Sequence, residues 1–148
     1  MKKIILFFLF FNLTFAQVTW KKHIVQYNGS IELPTDFKKG LLVASGTLQW
    51  FNSVKYPDIE ITIESFGTGN EQELEKTYQE DIKRFKGIVY KVKKSNWFVI
   101  SGKDDDGYIF YNKSIIKNGI QFHLRITYLE KNKKYMDAVL SRISNSFK

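Results

Sequence analysis

An α+β fold built on a largely antiparallel sheet is predicted from three observations. Two stretches of the 148-residue chain carry apolar residues at helical spacing, several others alternate apolar and polar residues with period two, and four such strands follow one another between the helices. The resulting order is strands, helix, four meandering strands and a terminal helix.

The chain opens with Lys2 and Lys3, an apolar stretch from Ile4 to Phe15, and Thr14 and Ala16 at the −3 and −1 positions of a cleavage site. This is the pattern of a secretory signal peptide spanning residues 1–16. Twelve helical residues would reach only about 18 Å, against a hydrocarbon core of roughly 30 Å, so a spanning anchor is disfavoured. The mature domain, residues 17–148, is expected to be exported to the periplasm or beyond, with no transmembrane segment after cleavage.

Within it, Trp20 to Tyr27, Asn28-Gly29 and Ser30 to Leu33 read as a hairpin with Asn-Gly supplying a type I′ turn. Pro34-Thr35-Asp36 ends it, and Lys39-Gly40 reads as a further turn. Gly46 to Phe51 and Ile59 to Ser65 read as strands, the second alternating Ile59, Ile61 and Ile63 with Glu60, Thr62 and Glu64. Gly67-Thr68-Gly69 breaks the pattern, and Asn70 with Glu73 forms a capping box for a helix running to about Phe85. Its stripe is Leu74, Tyr78, Ile82 and Phe85.

Four strands follow: Ile88 to Lys93, Trp97 to Ser101, Tyr108 to Ile116 and Ile120 to Leu129. The last places Ile120, Phe122, Leu124, Ile126 and Tyr128 on one face, expected to lie under helices, and Gln121, His123, Arg125 and Thr127 on the other. Tyr135, Met136, Val139, Leu140, Ile143 and Phe147 define the second amphipathic helix. Burial of these ten helical side chains contributes roughly 1.5–3 kcal/mol each before entropy is subtracted.

Composition excludes several chemistries. With no Cys there can be no disulfide, thiolate metal site, Cys nucleophile or acylated N-terminal Cys. Without Lys2 and Lys3 the chain has 21 basic against 15 acidic residues. A solvated, mildly basic surface explains that excess, and contact with acidic proteins, lipid headgroups or glycans is the sharper alternative. Nucleic acid is not expected, since export removes the usual targets and no binding motif is present.

A Ser-His-Asp triad would have to use His23 or His123, and no nucleophile elbow supports it. Two histidines a hundred residues apart give no zinc spacing. Asp104-Asp105-Asp106-Gly107 has the wrong register for an EF-hand and reads as a solvated hairpin turn. Gly67-Thr68-Gly69-Asn70 lacks the P-loop lysine, and Glu60 and Glu64 are two acids on one strand face. No catalytic residue, metal or cofactor is therefore assigned, and the chain is read as a non-enzyme. Aromatics clustered in or beside the strands, Trp20, Trp50, Trp97, Tyr90, Tyr108 and Tyr111, are core first and a protein or glycan contact second.

Trp97-Phe98-Val99-Ile100-Ser101-Gly102, the acidic turn, Gly107-Tyr108-Ile109-Phe110-Tyr111 and the ending Ile143-Ser144-Asn145-Ser146-Phe147 resemble the C-terminal half of Mog1/PsbP-like domains. The resemblance covers Tyr27 to Lys148, more firmly from Ile59 onward, and consists of packing motifs. It implies an α/β/α sandwich and noncatalytic binding to a larger protein, a small GTPase for Mog1 and photosystem II for PsbP, neither of which carries over to an exported bacterial chain. The expected function is an accessory domain binding another envelope or secreted protein, with Asp104, Asp105, Asp106, His123 and Arg125 as the contact residues. The alternative is a small-molecule or lipid carrier with a pocket between sheet and helix.

Overall fold

Two meanders meet at a single strand pair to make the main sheet. The computed structural model describes residues 18–42 and 46–148. The described residues form β1 (Trp20–Ile24), β2 (Ser30–Pro34), β3 (Phe37–Leu42), β4 (Leu48–Ser53), β5 (Glu60–Phe66), α1 (Glu71–Arg84), β6 (Ile88–Lys93), β7 (Trp97–Lys103), β8 (Tyr108–Lys117), β9 (Ile120–Leu129) and α2 (Lys133–Ser146). The order in the sheet is β3-β4-β5-β9-β8-β7-β6, with every neighbouring pair antiparallel. β1 and β2 pair only with each other. The α+β class with an antiparallel sheet and two amphipathic helices is thus observed, while the expected signal peptide at 1–16 lies outside the described residues.

Topology decides which faces are covered. β5 is third in the sheet and β6 last, so α1, which joins them, must cross the face of β9, β8 and β7. Asn70 starts that helix by accepting the Glu73 amide at 2.9 Å, and Glu71 and Glu73 in the first turn with Lys83 and Arg84 in the last complement its dipole. Leu74 packs there with Phe98, Ile100 and Phe110. α2 leaves β9 on the opposite face and closes over the hairpin, burying Met136, Val139, Ile143 and Phe147 against Ile31, Leu33, Ile61, Ile63, Leu124 and Ile126. The result is an α/β/α sandwich with two cores. Of the ten helical side chains expected inside, Leu74, Met136, Val139, Ile143 and Phe147 are buried and the rest are partly exposed.

Three expectations need correction. The first hairpin turns one residue early, with Tyr27 (φ 52°) and Asn28 (φ 60°) in the left-handed region and Gly29 at φ −64°. Gly29 is demanded by packing instead, because a Cβ there would lie 2.7 Å from the Phe122 ring. Lys39-Gly40 is no turn: both lie inside β3, where the register with β4 shifts between Lys39 and Leu42. An edge strand absorbs such a bulge by leaving one residue unpaired. Helices cover both faces of β9 and not the apolar one alone, since α1 crosses the polar face and leaves Gln121 2% and His123 6% exposed.

Candidate functional site

α2 is drawn toward the hairpin, and this offset opens a groove. Arg142 donates from Nε and Nη2 to Glu32 Oε2 at 3.0 and 2.9 Å, and Ser146 Oγ accepts the Glu32 amide at 2.8 Å. These contacts hold the helix over β2 and leave the β6–β8 part of the same sheet face uncovered. The gap is a groove of about 580 Å³. Tyr90, Val92, Trp97, Val99, Tyr111, Lys113 and Ile115 line the sheet side, and Asp137, Leu140, Ser141, Ser144 and Asn145 the helix side.

The polar groups of the groove are anchored at the end of α2. Lys113 Nζ donates to the Ser144 carbonyl at 2.6 Å, and the Tyr111 hydroxyl pairs with Ser144 Oγ at 2.6 Å. Ser144 lies in the last turn of α2, where free carbonyls favour a cation. Burial pushes the Lys113 ammonium down from its ordinary pKa and the Tyr111 phenol up. The surface is apolar with a positive end, a composition suited to binding.

On the opposite face a row of polar side chains lies beneath α1. Ser114 Oγ is 2.7 Å from His123 Nδ1, and His123 Nε2 is 3.6 Å from Asp81 Oδ2. The first contact is a hydrogen bond whose donor depends on the imidazole tautomer, and the second is longer than a hydrogen bond. Burial, reinforced by Arg125 and Arg84, lowers the His123 pKa to about 3, and burial raises that of Asp81 to about 6. The residue types are those of a nucleophilic triad, but Ser114 and the adjoining Asn112 are fully buried. A substrate cannot reach the hydroxyl, and an imidazole so reluctant to protonate is a poor general base at neutral pH. The row is structural.

The five residues expected to form a contact surface are not brought together. Asp104 closes its own turn, accepting the Tyr108 amide at Oδ1 (2.8 Å), with Gly107 at φ +86°. Asp105 and Asp106 are exposed, Asp105 lying 4.0 Å from Lys86. His123 is enclosed beneath α1, and the Arg125 guanidinium is 5.3 Å from the Phe85 ring centroid. With Leu48, Trp50, Glu60, Thr62 and Glu64 these last two line a separate depression of about 120 Å³. Among the described residues no three His, Asp or Glu side chains are grouped to hold a metal, and no described helix is long and apolar enough to cross a membrane.

Tyr90, Trp97 and Tyr111 stand out by their aromatic character, but nothing in their spacing joins them with Val92, Lys113, Leu140 and Ser144. The sideways offset of α2 joins them. Asp81 carries a signal in hindsight: it sits seven residues after Leu74 and four before Phe85, on the apolar stripe of α1.

Architecture and groove together define an α/β/α sandwich with one open, amphipathic side. Cyanobacterial PsbP (CyanoP) from Synechocystis sp. PCC 6803 is similar over 89% of this chain and 93% of its own, with a TM-score of 0.63 at 7% identity. A crystal structure from Bacteroides thetaiotaomicron VPI-5482 is similar over 78% of this chain, with a TM-score of 0.53 at 16% identity, and the match spans 44% of that protein. No family model and no curated protein sequence matches the chain. The chain has the Mog1/PsbP-like fold.

Proposed function

We propose that residues 17–148 act, after export and removal of residues 1–16, as a noncatalytic accessory domain that binds another envelope or secreted protein. The groove between β6–β8 and α2 carries this reading. It exposes Tyr90 at its rim, and its lining offers apolar surface with a few fixed polar groups. The acidic turn at Asp105 and Asp106 is a second surface open to a partner, whereas His123 is not.

A small-molecule or lipid carrier is the second reading, favoured by the same volume, which lies within the roughly 300–1,000 Å³ of ligand pockets. Against it, the interior is filled by Phe37, Phe51, Phe98, Phe110 and Phe122, and the concavity is an open trough. The deciding experiment is capture from envelope extract by the tagged mature chain and by Tyr90→Ala, with high-salt washes and mass spectrometry. A protein retained by the parent and lost by the variant supports the proposal. An eluate without protein but with extractable lipid overturns it in favour of the carrier.

A further inference from the structure

β6 ends the sheet, with β7 on one side and no strand on the other among the described residues. Register with β7 shifts between Ile88 and Tyr90, so the regular part of this edge is Tyr90–Lys93. Side chains alternate along it. Tyr90 and Val92 stand on the α2 face and line the groove. Lys91 and Lys93 stand on the other face, opposite Ile100 and Phe98. The edge carries exposed apolar side chains among its lysines, with Val89 83% and Tyr90 55% exposed. From Lys86 to Trp97 the chain contains four lysines and no acidic residue. Lys93 is held by Glu75 at 2.9 Å, while Lys91 and Lys94 have no carboxylate partner among the described residues.

We infer that β6 is a docking edge for an extended segment of a partner protein in which apolar residues alternate with acidic ones. This rests on the proposed role as a protein-binding domain and names the chemistry of the partner. A strand added about 4.8 Å beyond β6 sends every second side chain to the α2 face, beside Tyr90 and Val92, where the groove opens to receive it. The intervening side chains fall beside Lys91, where a carboxylate is complementary and a lysine is repelled. Backbone hydrogen bonds supply affinity and the alternation supplies selectivity. Lysines on an edge also discourage aggregation. That explains the charges, but neither the exposed Val89 and Tyr90 nor the trough beside them.

The test uses the mature chain and a short synthetic peptide alternating leucine with glutamate. Controls are a scrambled peptide of equal composition, a copy N-methylated at alternate amides, and dodecanoate. Hydrogen exchange read by NMR should show new protection of the β6 amides with the alternating peptide alone. Lys91→Glu, a change at an exposed position, should weaken that peptide roughly two- to five-fold, the scale of one exposed ion pair, and a leucine–lysine peptide should recover the loss. Equal binding of the scrambled or N-methylated peptide, or binding without β6 protection, overturns the inference. So does saturable dodecanoate binding in the groove with no peptide binding. A partner captured from extract in the absence of β6 protection would leave the accessory role standing and remove this mode alone.

Discussion

His123 and Asp81 face each other across 3.6 Å in the space between β9 and α1, both less than a tenth exposed. Their pKa values are driven in opposite directions by the same burial. For Asp81, raised from 3.8 to about 6, the folded protein binds more protons than the unfolded chain between those values. Its contribution to stability is therefore largest below about pH 4 and is lost as the pH rises through about 6. Asp81→Asn should gain stability relative to the parent by up to about 3 kcal/mol as the pH is raised from about 4 to 7. Urea denaturation of both proteins at the two pH values measures this, and an unchanged difference would refute it.

His123 has the opposite slope. Its folded pKa of about 3 lies below the ordinary 6.5, so the folded state binds fewer protons in that window. The stability it contributes is present above about pH 6.5 and is lost as the pH falls toward 3. Between about pH 4 and 6 the two groups oppose one another. His123→Gln should therefore gain stability relative to the parent as the pH falls from 6.5 to 4, the reverse of Asp81→Asn. Thermal unfolding across that range checks the sign, and parallel profiles for the two variants would contradict the pairing.

The first hairpin separates two roles that its sequence merges. Gly29 has an ordinary φ but lies under Phe122 and Val25, where a Cβ would approach 2.7 and 2.8 Å. Gly29→Ala should cost about 1–3 kcal/mol through overpacking. Tyr27 is exposed and held at φ 52°. Tyr27→Gly should relieve about 1 kcal/mol of left-handed strain. Denaturation midpoints of the two variants should move in opposite directions.

How much of this was legible follows from the range of the forces involved. The boundaries of β6 and β9, the Asn70 cap and the stripes of both helices follow from residues close in sequence. The hairpin was legible but its turn was not, because Gly29 answers to Phe122, ninety-three residues away. The cover over His123 was not legible for a related reason: period-two alternation reports two faces, and the crossing of α1 from β5 to β6 decides that the polar one is buried as well. The groove was least legible, since it arises from an offset of α2 set by Arg142, Glu32 and Ser146 rather than from any property of its lining.

That offset makes the C-terminus a clasp for the hairpin. Ser30 and Lys148 exchange backbone hydrogen bonds at 2.7 and 3.0 Å, Arg142 stacks 4.3 Å over Trp20, and Phe147 is 2% exposed in the core shared with Ile31 and Leu33. A two-stranded hairpin is marginal by itself, so β1 and β2 depend on these contacts. Phe147→Ala should cost about 3–5 kcal/mol, with the loss concentrated in the hairpin. Native-state hydrogen exchange should show Ile31 and Leu33 amides opening well before those of β8 and β9. Uniform loss of protection over the whole sheet would show that the hairpin and the sheet unfold as one unit.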